Sequence, residues 1–326
     1  MANKFYFHKK QTNKYTIAFY NLENLFDTKD DPNTLDDDFL PGSEKQWNRK
    51  RYEKKIAKLG TAISNIGFLT SRKSPVLVGV AEVENLKVVE DLVTSKHLKQ
   101  KEYGIVHYDS PDERGIDVAL LYQKQYFKVT DSRTVPLLVN NEGGIRDYTR
   151  DILWVTGFLN NEKIHVLVNH WPSRRDGAEL TSYKRIIAAE KNREIMDQIT
   201  AENPEAKIIV MGDFNDDPYS ESVKEHLVQH DLFNPMERLL TRYRGTTNYK
   251  SQWNLFDQII FSHNFHKYEK GKHSFSDASI FDEDFLKIYK GRYKGNPFRT
   301  YAGKKYTGGY SDHFPVYVQL QWNKVE

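Results

Sequence analysis

The sequence predicts an α/β protein built on an open β-sheet, and two observations lead to this prediction. Short runs of apolar, β-favouring residues alternate with segments whose apolar residues recur at helical spacing. Several of the predicted strands also end directly in a polar side chain that carries oxygen or nitrogen. Open α/β sheets bind their ligands at the C-terminal ends of their strands, so we expect the functional site at that edge.

The size and composition indicate one large globular unit. With 326 residues, of which 38% are hydrophobic and 13% aromatic, the chain can bury a sizeable core. No linker rich in Pro, Gly or Ser divides it, so we expect a single domain over residues 1–326. The chain contains no cysteine, which excludes a disulfide framework, a thiolate metal site and a cysteine nucleophile.

Charge and hydropathy give weaker indications of partner and location. The net charge of +3 is ordinary for a soluble protein and is weak support for an anionic partner. No apolar run approaches the length of a membrane span, and residues 1–10 lack the apolar core of a secretory leader. We therefore expect a soluble, cytoplasmic protein.

The first predicted strand covers residues 15–20 and is followed by Asn21 and Glu23. Polar residues at such a junction are also typical of turns and helix N-caps, and taken alone they favour that interpretation. After an acidic loop, residues 47–66 carry apolar side chains at helical spacing. We expect the basic residues of this helix to form a solvated face: Arg49, Lys50, Arg51, Lys54 and Lys55.

The second predicted strand follows Pro75 and ends at a carboxylate, Glu82. Two further strands are predicted over residues 103–108 and 116–122, and the latter contains a charged residue, Asp117. Burying an unpaired carboxylate costs several kcal/mol, so Asp117 is expected to have a partner.

A β-hairpin with an Asn-Asn turn is predicted over residues 152–169, and its second strand leads to His170. The next loop, bounded by proline and glycine, contains Ser173, Arg174 and Arg175. Such a loop suits phosphate oxygens, although a solvated charge pair is the alternative for the two arginines. A lone histidine after a strand is more often structural than catalytic, but His170 has this loop beside it.

An apolar run over residues 208–211 predicts a buried strand that ends in a carboxylate and a carboxamide, Asp213 and Asn215. Gly212 permits a sharp exit from the strand, and Pro218 prevents its continuation. The two polar side chains could hold a water beside a phosphate and a metal, or they could be ordinary turn residues.

Helices are predicted on both sides of this strand. Residues 181–199 carry apolar side chains at helical spacing, and a shorter helix runs from Pro218 to about residue 229. Alternation of such helices with buried strands is typical of an α/β fold.

The C-terminal part contributes the last candidates. Asp257 lies at the edge of a strand predicted over residues 253–261, and Asp312 and His313 open the last strand. Between them, residues 266–310 are rich in Lys, Arg, Tyr and Phe. This basic aromatic loop region could stack on bases and neutralise phosphates, or it could be a surface loop folded on its own aromatic residues.

The candidates share one architecture, a buried strand followed by a polar group, which indicates that they meet in one site at the strand ends. They are Asn21, Glu23, Glu82, His170, Asp213, Asn215, Asp257, Asp312 and His313. The motifs around them are Phe-Tyr-Asn-Leu-Glu (19–23), Val-Ala-Glu (80–82), Asn-His (169–170), Gly-Asp-Phe-Asn (212–215), Phe-Asp-Gln-Ile (256–259) and Ser-Asp-His-Phe-Pro-Val (311–316). In this order, and over nearly the whole chain, the sequence resembles the endonuclease/exonuclease/phosphatase superfamily, also called DNase-like, and in particular a bacterial nuclease-like branch.

The resemblance implies a four-layer sandwich of two packed mixed β-sheets flanked by helices, and hydrolysis of phosphate esters with Mg²⁺ or Mn²⁺. It implies that Glu82 is the principal metal ligand, with Glu23 and Asp312 as further or second-site ligands. The chemistry agrees, because a hard divalent ion prefers carboxylate oxygens and screens the charge of a phosphate.

The same resemblance implies roles for the remaining candidates. Asn21 and Asn215 would orient phosphate or water, and Asp213 would position or deprotonate the attacking water. His313, held by Asp257, would contact the scissile phosphate. His170 would act from the other side, as a phosphate ligand or as a proton donor to the leaving oxygen.

One pairing is ambiguous. Relatives pair the upstream histidine with an acid from the strand near Asp117, and Glu113 is the other candidate for that acid in this chain. We prefer Asp117 because its charge is embedded in an apolar segment. Which residue is the general base stays open.

These implications favour a metal-dependent nuclease acting on DNA or RNA, with Ser173, Arg174 and Arg175 binding the substrate. The alternative is a phosphatase or phosphodiesterase for an inositol phosphate, a phospholipid headgroup or another small phosphoester, which would require a closed pocket instead of a long basic groove. A catalytically silent binding module is the third hypothesis, and the presence of every core residue argues against it. No protein partner is implied, and the choices between DNA and RNA, endo and exo cleavage and one or more metal ions stay open, as does the oligomeric state.

Overall fold

The computed structural model describes residues 12–141, 143–175 and 177–324, so the leader expectation for residues 1–10 lies outside the described residues. The α-helices within this part are α1 (Arg49–Asn65), α2 (Phe68–Ser71), α3 (Leu86–Val93) and α4 (Ser182–Glu202), with a π-helix at Ser222–Val228. Short 3-10 helices lie at Asp37–Phe39, Lys99–Lys101, Pro235–Arg238, His263–His266 and Asp284–Leu286. The strands are β1 (Lys14–Leu25), β2 (Leu77–Val83), β3 (Tyr103–His107), β4 (Asp117–Gln123), β5 (Phe127–Val135), β6 (Val139–Asn140), β7 (Arg146–Asp147), β8 (Ile152–Leu159), β9 (Glu162–His170), β10 (Lys207–Asp213), β11 (Leu232–Phe233), β12 (Thr247–Tyr249), β13 (Gln252–Asn254), β14 (Asp257–Ser262), β15 (His273–Ile280), β16 (Tyr301–Ala302), β17 (Lys305–Tyr306) and β18 (Val316–Trp322).

Two six-stranded mixed sheets make up the fold. Their strand orders are β15-β18-β1-β2-β4-β3 and β11-β14-β10-β9-β8-β5. Each sheet has one parallel pair near its centre, β1 with β2 and β9 with β10, flanked by antiparallel neighbours. The C-terminal ends of each parallel pair therefore lie side by side.

Alternation of side chains along β10 shows how the layers form. Ile209 and Met211 belong to the core between the two sheets, whereas Ile208 and Val210 pack in a second core with residues of α4 such as Ile195. On the other sheet, α3 contacts β2 and β3 and lies next to α1. The predicted four-layer sandwich is confirmed.

Several predicted elements are confirmed with small changes in their ends. The helix expected over residues 47–66 is α1, whose cap residue Asn48 accepts a hydrogen bond from the Arg51 amide at 3.2 Å. Its apolar residues are buried as expected, but Lys55 is buried as well and does not belong to the solvated face. The predicted hairpin is β8 and β9, and its turn places Asn160 and Asn161 at positive φ.

Other predicted boundaries were wrong because tertiary pairing overrides the local pattern. β1 continues past residue 20 to Leu25, so Asn21 and Glu23 lie within the strand and not after it. The strand expected over residues 253–261 is divided into β13 and β14. The region expected as one basic aromatic loop contains β15, which pairs with β18 at the edge of the first sheet.

In the described part of the chain, none of the helices combines the length and the apolar character that a membrane span requires.

Candidate active site

The strand pairing brings the polar strand ends together. In the second sheet, Asp213 is opposite His170 on β9 and opposite Asp257 on β14. In the first sheet, Asn21 is opposite Ala81, next to Glu82. The register of both sheets therefore places these side chains at one end of the sandwich, as the sequence predicts.

The buried amide of Asn21 links the two sheets directly. Its Nδ2 donates to Asp213 Oδ2 at 2.9 Å and to Glu82 Oε1 at 3.2 Å, while its Oδ1 accepts from the Glu23 amide at 2.9 Å. Asn21 is completely buried, so these hydrogen bonds lie away from bulk water. One carboxamide thereby fixes two carboxylates that come from different sheets.

Four of the twelve non-glycine residues with positive φ in the described part of the chain lie at this site. Glu23, Asn24, Glu82 and Asn215 all adopt φ between 50° and 62°. Such angles are uncommon outside glycine and tend to occur at functional sites. Glu82 lies in an irregularity of the β1–β2 and β2–β4 pairing, which turns its carboxylate towards the Asn24 amide at 2.7 Å.

Asp213 is buried and held by neutral donors. Its Oδ1 accepts from the Asn215 amide at 2.9 Å, and the Asn215 side chain donates to the Trp171 carbonyl at 2.9 Å. Burial, and then the negative charge of Asp257, raise the pKa of Asp213 to about 6, although His313 opposes the shift. The Asp213 carboxylate is therefore a stronger proton acceptor than an exposed aspartate.

His313 lies between two carboxylates. Its Nδ1 is 2.7 Å from Asp257 Oδ2, and its Nε2 is 4.0 Å from Asp213 Oδ2. Burial alone would lower the pKa of His313, but Asp257 and then Asp213 more than offset it, so the pKa lies well above the usual value. The expected contact between Asp257 and His313 is present, and it favours an imidazolium.

His170 lies on the other side of Asp213, with its Nε2 3.9 Å from Asp213 Oδ2. Burial, and then the positive charges of Arg150 and Arg114, hold the pKa of His170 well below its usual value. The two histidines therefore differ in charge, because His313 has a carboxylate partner and His170 faces cations.

The expected pair between His170 and Asp117 is not found. Asp117 instead accepts hydrogen bonds from the Ser110 amide and hydroxyl, and lies 3.3 Å from His107 Nε2. Asp117 starts β4, which pairs with β3, so its partner comes from the neighbouring strand of its own sheet.

The acid that supports His170 is Asp112, which acts through Arg150. The two acids predicted from the sequence, Glu113 and Asp117, do not have this role. Asp112 forms a buried ion pair with Arg150 at 2.9 Å. Arg150 in turn donates to the carbonyls of His170 and Trp171. Asp112 thus supports the backbone at His170 and not its imidazole.

The loop after His170 is only partly available to a substrate. Arg174 donates to the Asn215 carbonyl and to Asp216, so its charge is already paired within the strand-end loop. Ser173 and Arg175 are exposed. Arg174 therefore fits a supporting role, while binding of phosphate by Ser173 and Arg175 stays a prediction.

Glu23 and Asp312, implied as further metal ligands, both contact Arg299. Arg299 donates to Asp312 at 2.9 Å and lies 3.5 Å from Glu23, whose other oxygen accepts from the Thr300 amide at 2.6 Å. Burial, and then the nearby charge of Asp312, raise the pKa of Glu23 to about 7. These two carboxylates already have partners from the chain.

The donor set of Glu82 fits a hard divalent cation. Both hydrogen bonds described for its carboxylate come from neutral groups, the Asn21 amide and the Asn24 backbone, so its charge is not balanced by them. The same Asn21 amide also donates to Asp213, so a second carboxylate lies close to that of Glu82. Hard divalent cations prefer such oxygen ligands. Among the described residues, Asp213, Asp257 and His313 form a group with ligand atoms within 4.8 Å of one another, but the raised pKa of His313 favours an imidazolium there instead of a metal ion.

Sequence reasoning missed the cations of the site. Lys55, Arg114 and Arg299 lie beside it: Lys55 donates to the Glu23 carbonyl, and Arg114 contacts the Asn24 side chain. Each lies far from its partner along the chain, so no local pattern marks it. The only signal was the excess of basic residues in 266–310, which contains Arg299.

Comparison with known proteins gives one family. A family model described as "Endonuclease/Exonuclease/phosphatase family" matches residues 16–322, and no curated protein matches the sequence. The structure is similar to that of humanized TDP2 from D. rerio, with a TM-score of 0.58 and 15% identity over 95% of this chain and 99% of that chain.

Two further structures share the fold. TDP2 from D. rerio in complex with a single-strand DNA product has a TM-score of 0.55 and 14% identity over 94% of this chain and 98% of that chain. A mannosyl-6-phosphatase from Bacteroides thetaiotaomicron has a TM-score of 0.56 and 16% identity over 94% of this chain and 99% of that chain.

Proposed function

The chain belongs to the endonuclease/exonuclease/phosphatase family, and from this membership we propose that it is a divalent-metal-dependent nuclease that hydrolyses phosphodiester bonds of DNA or RNA. The observation that carries the proposal is the buried Asn21 amide, which joins Glu82 and Asp213 across the two sheets. It supports a centre where a metal ligand and a water-activating carboxylate act together.

Glu82 would hold a Mg²⁺ or Mn²⁺ ion, which screens phosphate charge and polarises the ester when bound. Asp213 would accept the proton of the attacking water, because its raised pKa suits a base near neutral pH. Asn215 fixes one oxygen of Asp213 and Asn21 the other, so the orientation of this base is set by hydrogen bonds.

The two histidines would have different tasks at the phosphate. His313, charged and held by Asp257, would donate its Nε2 proton to a phosphate oxygen and stabilise the developing negative charge. His170, kept neutral by burial and by Arg150, would donate a hydrogen bond to the phosphate or to the leaving oxygen. Hydrolysis then needs a water held opposite the leaving oxygen.

Arg114, which contacts Asn24, and exposed aromatic residues of the segment that contains Arg299 support a nucleic acid as substrate. Arg114 and Arg175 would bind backbone phosphates, and the exposed Tyr289 and Tyr293 could stack on bases. The structural likeness to D. rerio TDP2 with a single-strand DNA product is consistent with this substrate class.

A small phosphoester is the second candidate, because the likeness to a mannosyl-6-phosphatase is equally strong. The same catalytic groups would serve either substrate. The two candidates differ in how much substrate must bind outside the reacting phosphate.

Hydrolysis assays on labelled single- and double-stranded DNA, RNA, sugar phosphates and inositol phosphates, with Mg²⁺, Mn²⁺ or chelator, test the proposal. We expect cleavage of a nucleic acid that requires the metal. We expect Glu82→Gln to lower kcat/KM by about 10²–10³ or more, since a charge-stabilising group is lost. Glu90→Gln, the same change on the exposed face of α3, is the matched control and should leave the rate unchanged.

Metal-dependent release of phosphate from small esters, with no cleavage of any nucleic acid, would support the second candidate. Undiminished cleavage by Glu82→Gln would contradict the site itself.

A further inference from the structure

Glu23 and Asp312 are enclosed by cations that belong to the chain. Arg299 Nη2 donates to Asp312 Oδ2 at 2.9 Å, and Arg299 Nε lies 3.5 Å from Glu23 Oε1. Lys55, whose side chain is 1% exposed, has its Nζ 3.9 Å from Glu23 Oε2. Two carboxylates thus face two cations, and their net charge stays the same if Lys55 passes a proton to Glu23.

The backbone fixes Arg299 in this position. The next residue, Thr300, donates its amide to Glu23 Oε2 at 2.6 Å, and its hydroxyl accepts from Lys55 Nζ at 2.6 Å. The Arg299 carbonyl accepts from the Gly309 amide at 3.1 Å. Since two consecutive residues engage the same carboxylate, the guanidinium is anchored there although about half of it is exposed.

Glu82 differs from Glu23 and Asp312 in its hydrogen bonds, and Arg299 and Lys55 attract its charge less strongly than the charges of Glu23 and Asp312. Its carboxylate accepts hydrogen bonds from neutral groups, the side chain of Asn21 and the amide of Asn24. These hydrogen bonds do not neutralise the Glu82 carboxylate, so it can attract a divalent cation. A second ion beside Glu23 and Asp312 would meet the positive charges of Arg299 and Lys55 at short range.

We propose that Arg299, with Lys55, takes the place of a second metal ion and thereby limits the site to one divalent cation at Glu82. The inference rests on the proposed function, because it concerns the metal of that site. It assigns Arg299 as a positioning residue that sets the number of metal ions. Glu23 and Asp312 would then bind the guanidinium of Arg299 in place of a second metal ion.

Binding of Mn²⁺ to the full chain, measured by calorimetry and by electron paramagnetic resonance of free Mn²⁺, tests the proposal. The wild type should bind one equivalent. Arg299→Gln should bind two, because the carboxylates regain an uncompensated charge, and Arg299→Lys should again bind one. Arg292→Gln removes a positive charge from an exposed position of the same segment and serves as the matched control, with one equivalent expected.

Asp312→Asn keeps the test decisive if Arg299→Gln fails to fold. In the wild-type background this change should leave one equivalent bound, because Asp312 contacts Arg299 and is not a metal ligand. Glu82→Gln should weaken binding by about 100-fold or more, beyond the loss typical of residues that only orient a ligand.

The outcomes separate the inference from the proposed function. Two equivalents in the wild type, one equivalent in Arg299→Gln, or loss of the ion in Asp312→Asn would overturn the inference and leave the metal-dependent function standing. No Mn²⁺ bound by the wild type would overturn both.

Discussion

The imidazole of His313 shows how single residues acquire their chemistry from their neighbours. Asp257 binds its Nδ1 at 2.7 Å, and Asp213 lies on its other side. Neither carboxylate is near His313 in sequence, yet together they keep the ring charged. The same fold holds the pKa of His170 well below its usual value, so the two histidines of one site differ in charge.

Asp257→Asn tests this pairing. We expect the pKa of His313 to fall towards about 6.5, the value of a free histidine. Since the folded-state pKa of His313 is raised, the pair stabilises the protein fully below pH 6.5 and progressively less as pH rises through the raised pKa. The variant should therefore lose about 1.5–3 kcal/mol of unfolding free energy at pH 6 and less at high pH, with kcat about 10²–10⁴ lower.

Titration of the His313 ring protons by NMR, with urea unfolding at several pH values, measures these effects. Asp277→Asn, at an exposed carboxylate of β15, is the control and should leave the His313 titration unchanged. An unchanged His313 titration in Asp257→Asn would show that Asp257 does not hold the charge.

Residue types at the site could be predicted from sequence, but most of their partners could not. Asn21, Glu82 and Asp213 stand out because each interrupts or ends an apolar run. Only the tertiary fold brings Lys55, from α1, and Arg299, from the C-terminal part of the chain, to Glu23. The preference for Asp117 as partner of His170 failed for the same reason, since pairing of β3 with β4 supplies His107 instead.

At the scale of elements, the close approach of β9 and β10 positions Asp213 and His170. A Cβ at Gly212 would lie 2.4 Å from the Asn169 carbonyl oxygen on the adjacent strand. The neighbours of these two residues are Asp213 and His170, which are opposite each other. Glycine at this position therefore lets the two strand ends, and with them Asp213 and His170, stay in register.

Gly212→Ala should separate the two strands at this point. We expect a loss of about 1–3 kcal/mol in unfolding free energy, as for other overpacked sites, and a lower kcat because Asp213 and His170 move apart. Gly42→Ala, where an added Cβ meets nothing within 4 Å, is the matched control. Equal stability and activity of the two variants, by denaturant unfolding and by hydrolysis rate, would show that the close approach is unimportant.

The periodic elements follow the sequence closely, and the irregular ones do not. α1 and the β8–β9 hairpin carry plain signals, a helical apolar spacing and an Asn-Asn turn. The bends at Glu23 and Glu82 have no such signal, because neither position is glycine although both adopt positive φ. The Glu23 amide donates to the Asn21 side-chain oxygen, and the Asn24 amide donates to the Glu82 carboxylate across the β1–β2 pair, and these two hydrogen bonds hold the conformations.

At the scale of the whole molecule, the polar strand ends of the candidate site meet only because two sheets face each other. Asn21 and Glu82 come from the first sheet, and Asp213, His170 and Asp257 from the second. Local patterns predict each strand but not which sheet it joins, and the sandwich was predicted through the family resemblance. The core between the sheets, with Met211 beside Gly79, sets the distance across which Asn21 reaches Asp213.

Anomalous diffraction from crystals grown with Mn²⁺ tests most directly whether this shared rim is a metal centre. We predict one strong peak at about 2.0–2.2 Å from a carboxylate oxygen of Glu82, at the rim that Asp213 and His313 share, since hard cations bind carboxylates at such distances. A Mn²⁺ peak elsewhere with Glu82 unligated, or electron density placing Glu82, Asp213 and His313 on separate surfaces, would contradict the account.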